Sequence, residues 1–115
     1  LLTYPVSIRN PHFDLSNKEH FAKIEALNNK IQEHGLNIIG IPELSNFELT
    51  YSLDTRYHLN AEGAILRSLY LADTINCCLA DKAQEIADLE AYKKTKKAEA
   101  KQILEEYRKL GYFSE

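Results

Sequence analysis

The chain has 115 residues, 44% of them apolar, 27% charged, with a net charge of −3. That length allows one domain with one core and the composition fits a globular chain rather than a disordered one. No run approaches the ~18 apolar residues of a membrane span, and the acidic balance argues against a general nucleic-acid binder.

Leu1 to Ile8 reads as a strand apolar on both faces, with Pro5 marking a sheet edge or the strand's end. It lacks the basic and long apolar regions of a signal peptide, so no targeting segment is expected. No Met occurs anywhere, and the chain reads as a piece of a longer protein or a mature product, a secreted bacterial fragment being one option. Arg9 to Asp14 is a loop turning at Asn10-Pro11. The spacing predicts a helix over 17–34. Ser16 and Glu19 form a Ser-x-x-Glu capping box, Phe21, Ile24, Leu27 and Ile31 form one stripe, and Gly35 is the left-handed cap.

Leu36 to Ile41 is a short apolar run ended by Pro42, read as a buried parallel strand. Strand, helix and strand make a βαβ unit with an expected right-handed crossover. Residues 42–60 are less regular, with Phe47, Leu49 and Tyr51 alternating with polar residues. Asn60 then caps a helix from Ala61 onward.

Residues 64–110 contain no Gly or Pro. One helix across them would be ~70 Å long, well beyond a domain of this size. It therefore breaks near 80–82 or 93–97, or its end projects as an arm. Residues 81–115 hold eight basic and eight acidic side chains, and residues 82–115 read as a charged helical extension to an α/β portion over 1–81.

Chemistry-bearing candidates are few. No glycine-rich phosphate loop or metal-protease motif is present, and no cofactor is implied. Cys77 and Cys78 are adjacent and point about 100° apart on a helix, which disfavours a mutual disulfide. With no second pair at ligand spacing a metal site is not expected, and they read as small apolar helix residues. His12, His20 and His34 are isolated. The exception is His58, with Asp54 four residues before it, on a loop that follows a parallel strand and opens a helix. That placement puts both at the sheet edge where sites form. A carboxylate there holds the imidazole in one tautomer, the base half of a nucleophile–base–acid triad. The alternative is that Asp54 caps a turn and His58 packs beside Tyr57.

The run Asp54-Thr55-Arg56-Tyr57-His58-Leu59-Asn60-Ala61-Glu62-Gly63, with Arg67 one turn on, resembles the last conserved block of SGNH/GDSL-type hydrolases. The resemblance implies a partial flavodoxin-like three-layer αβα sandwich, the C-terminal part of such a domain, with residues 82–115 as its extension. It implies ester hydrolysis or acyl transfer through a serine, with His58 as general base and Asp54 as its orienting carboxylate. Asn60 and Gly63 would shape the start of the helix. The spacing Asp-x-x-x-His departs from the family's Asp-x-x-His. The Gly-Asp-Ser nucleophile block is absent, as are the oxyanion blocks; Ser7, Ser16, Ser45, Ser52, Ser68 and Ser114 lack that context. The nucleophile would come from another segment or chain, with the rest of the parent domain or a second chain at the sheet edge. The alternative is a non-catalytic interaction module, either a degenerate hydrolase-like fold or a secreted effector fragment. Its C-terminal helix would bind a protein partner or a second copy through Ile103, Leu104, Tyr107 and Leu110. Glu105-Glu106 resembles the glutamate-rich tails of type IV secreted effectors.

Overall fold

A computed structural model describes residues 2–8, 16–55 and 58–112. Strands β1 (Leu2–Thr3) and β2 (Ser7–Ile8) precede helix α1 (Lys18–Glu33). Strands β3 (Ile38–Ile39) and β4 (Asn46–Phe47) follow, then helices α2 (Ala61–Leu79) and α3 (Leu89–Lys109). Short 3₁₀ turns occupy Pro42–Ser45 and Leu49–Tyr51.

The expected three-layer αβα sandwich is not formed. The described residues are mostly helical, with two separate two-stranded sheets, β1 with β3 and β2 with β4. Both pairings are parallel, Leu2 opposite Ile38 and Ser7 opposite Asn46. The two prolines account for the difference. Pro5 falls between β1 and β2, and Pro42 opens the 3₁₀ turn between β3 and β4. A proline cannot donate to the ladder and its fixed φ favours a turn. The run over 1–8 is thereby cut into two stubs, and the run over 36–41 is reduced to the two residues of β3. What remains of the α/β pattern is β1 and β3 in parallel with α1 between them in sequence.

Helix α1 begins one residue later than its sequence signal suggests. Asn17, not Ser16, is the cap, its Oδ1 accepting from the amides of Glu19 at 2.9 Å and His20 at 3.3 Å. Asn is as good a cap as Ser, so the local competition is resolved without cost. Gly35 has φ of +73°, as a left-handed terminator requires. The stripe of α1 buries little: Phe21 is 48% and Leu27 41% exposed, and Ile24 and Ile31 are half-buried.

The core lies elsewhere. Ile8, Leu44, Phe47, Tyr51, Leu66, Tyr70 and Ala100 form one buried cluster, joining β2, β4, the turns, α2 and α3. Aromatic rings run through it, Tyr51 edge-on to Phe47, Phe47 tilted on Tyr70, and Tyr70 stacked on Tyr92 at 5.9 Å. The long helical stretch breaks at the first of the two expected places. Asp81 turns left-handed with φ of +54°, and the Lys82 amide donates back to the Cys77 carbonyl at 2.9 Å. Residues 93–97 stay helical. Two of their lysines reach carboxylates on other segments, Lys96 to Asp73 at 3.3 Å and Lys97 to Glu48 at 2.6 Å. Long lysine stems cover apolar surface while their ammonium groups find anions, so a stretch with no apolar stripe still packs. Thus α3 folds back along α2, and Ala100 and Leu104 are buried there.

Candidate functional site

The site is the loop between the second 3₁₀ turn and α2. Its hydrogen bonds form a short antiparallel closure. Ser52 bridges Leu59, the Leu53 amide donates to the His58 carbonyl at 2.9 Å, and the Asn60 amide donates to the Tyr51 carbonyl at 2.8 Å. Asn60 joins loop to helix twice, its Oδ1 accepting from the Gly63 amide and its Nδ2 donating to the Thr50 carbonyl, both at 2.9 Å. Gly63 is required by a close approach. A Cβ on it would lie 3.0 Å from the Tyr51 Cβ and 3.1 Å from the Leu59 Cδ2. The first turn of α2 can therefore press directly against both strands of the closure.

That frame carries the predicted pair. His58 Nδ1 lies 2.8 Å from Asp54 Oδ1, and the two side chains are 63% and 61% exposed. Two further groups, missed in the sequence, fix the tip: the Ser52 hydroxyl donates to the Thr55 carbonyl at 2.8 Å, and the His58 amide donates to Thr55 Oγ1 at 3.2 Å. The small hydroxyl residues flanking Asp54 were the available signal, since Ser and Thr favour such local turns. Arg56 and Tyr57 lie outside the described residues, and with them the alternative packing of His58 on Tyr57; so do His12 and Ser114.

With Nδ1 tied to a carboxylate, Nε2 is the nitrogen left to exchange a proton with a substrate or nucleophile. Among the described residues no serine hydroxyl bonds to it. The Ser45 hydroxyl is buried and donates to the Tyr4 carbonyl at 3.2 Å, and the Ser68 hydroxyl donates to the Ala64 carbonyl at 2.9 Å. Arg67 does not join the pair. Its guanidinium donates to Ser45 Oγ at 2.8 Å, to the Tyr4 carbonyl at 2.9 Å and to Thr3 Oγ1 at 3.4 Å, and burial lowers its pKa. It fastens α2 to the segment between β1 and β2.

Among the described residues no group of three or more His, Cys, Asp or Glu could hold a metal ion, and no helix is long and apolar enough to cross a membrane. Cys77 and Cys78 are free thiols, both half-buried. A scan against protein-family models and searches of curated proteins and of solved structures find no match for this chain.

Proposed function

We propose that these residues carry the base half of a serine acyl hydrolase or acyltransferase site, as the resemblance to SGNH/GDSL-type enzymes implies. His58 is the general base and Asp54 its orienting carboxylate. The nucleophilic serine and the oxyanion donors come from another segment or another chain. The observation that carries the reading is the 2.8 Å contact between His58 Nδ1 and Asp54 Oδ1, in a loop whose ring is open to solvent. In this mechanism Nε2 accepts the serine hydroxyl proton as its oxygen attacks the ester carbonyl. The same nitrogen then returns that proton to the leaving alcohol. Asp54 stabilises the imidazolium that exists between the two transfers. The test is capture of the serine by a fluorophosphonate in the native assembly that contains this chain. Labelling that is lost in His58→Ala supports the reading; labelling equal to wild type rejects it.

A second reading, a protein-binding module, is favoured by the end of α3. Leu110 is 71% exposed beside the edge-on pair Tyr107 and Tyr112, whose ring centroids lie 5.7 Å apart. Aromatic and aliphatic groups clustered on an exposed helix end are the kind of anchor that a partner helix or groove, or a second copy, would take up.

A further inference from the structure

We propose that Cys77 and Cys78 form one thiol-exchange site, at which a small-molecule disulfide leaves a single mixed-disulfide adduct. Both cysteines are free, half-buried and line the same open cleft of about 350 Å³ between the end of β3 and the turn that closes α2. Gly40 and Thr74 form one side of it, and Asp81 and Lys82 contribute one charge of each sign. Both cysteine residues thus border one cleft that is open to a peptide-sized disulfide and carries no net charge from Asp81 and Lys82.

In the exchange a protein thiolate attacks one sulfur of the small disulfide. A new S–S bond forms, the old one breaks, and the departing thiolate takes up the proton the protein thiol released. The protein thiol is oxidised and one sulfur of the reagent is reduced. A second exchange, in which the neighbouring cysteine displaces the adduct, would close a disulfide between adjacent residues. The backbone opposes it. The Cys77 carbonyl accepts from the Lys82 amide at 2.9 Å, the Cys78 carbonyl from the Asp81 amide at 3.1 Å, and the Asn76 carbonyl from the Ala80 amide at 3.1 Å. Adjacent helical residues point about 100° apart, so ring closure would have to unwind this last turn and give up those bonds. The folded chain therefore stops at the mixed disulfide, and the occupied cleft shields the second thiol.

The experiment treats the intact folded chain with excess glutathione disulfide under mildly alkaline conditions and reads the product by intact mass and free-thiol count. The expected product carries one adduct and one free thiol; in urea the same reagent gives two adducts or an internal disulfide. Two adducts, none, or an internal disulfide in the folded chain overturns the proposal. Cys77→Ser and Cys78→Ser, checked for helix content by circular dichroism, should each still accept one adduct. A folded variant that accepts none shows that the thiols do not share the site, and also overturns it.

Discussion

Tyr51 and Gly63 meet so closely that a single methyl group on Gly63 would fall 3.0 Å from the Tyr51 Cβ. This contact seats the loop bearing Asp54 and His58 on the first turn of α2, and it makes the smallest residue of the block its tightest constraint. Gly63→Ala should therefore destabilise the chain by about 1–3 kcal/mol through overpacking, although alanine is the better helix former by about 1 kcal/mol. Urea unfolding followed by circular dichroism measures the balance; a variant more stable than wild type would show that the contact yields easily.

Arg67 is the second tie. Its three hydrogen bonds hold the buried Ser45 and the Tyr4 carbonyl. Arg67→Met keeps the aliphatic stem and removes the donors, and should cost about 1–3 kcal/mol through the lost charged hydrogen bonds, the Tyr4 carbonyl keeping the Ser45 hydroxyl as its donor. The same urea midpoint reads it, and an unchanged midpoint would count against the tie.

Three tyrosines set the alkaline limit. Burial, with Glu48 and Glu62 nearby, pushes Tyr51 up to about 12. Burial first, then neighbouring negative groups, raise Tyr70 further, and burial raises Tyr92, whose hydroxyl donates to Asp73 at 2.6 Å. A pKa raised in the folded state means that the folded chain holds its proton more tightly than the unfolded one. The associated stability is complete below the unfolded tyrosine value of about 10. It is lost as pH rises from there toward 12 and beyond. Tyrosinate absorbance near 295 nm should show these three rings ionising late and together with unfolding. Ionisation of all seven tyrosines near pH 10 in the folded chain would contradict the burial argument.

At the end of α3, Leu110→Glu with Tyr112→Glu changes only exposed side chains, so helix content and thermal midpoint should stay near wild type. If this patch is a docking surface, self-association or partner capture measured by sedimentation should fall at least tenfold. Unchanged association would remove the second reading.

The sequence shows its helices more plainly than its sheet. Asn60 as a cap, Gly35 as a terminator and a break near residue 80 are local signals, decided by the backbone needs of a few neighbouring residues, and they are met. Strands depend on distant partners. Pro5 and Pro42 were visible as punctuation, yet their effect on a ladder is apparent only once the two segments lie side by side. The stripe of α1 has helical period, but period alone does not say which surface it meets. Lys96 and Lys97 illustrate the converse: no apolar period exists there, and the carboxylates they meet, Asp73 and Glu48, lie on distant segments. For the site, Asp54 and His58 stood out as a His–carboxylate pair four residues apart on one loop, whereas Ser52 and Thr55 offered only the general preference of small hydroxyl residues for local turns.

Asp54 and His58 are both exposed, so their pairing should add only a few tenths of a kcal/mol to stability. Variants at either position therefore report on chemistry rather than on folding. The most direct test of the proposed role is the rate of p-nitrophenyl acetate turnover by the native assembly containing this chain. Wild type, Asp54→Asn and His58→Ala would be compared, the last with and without added imidazole. The account predicts a loss of about a thousandfold or more in His58→Ala, partial rescue by imidazole, and a marked loss in Asp54→Asn. Equal rates in all three would contradict it.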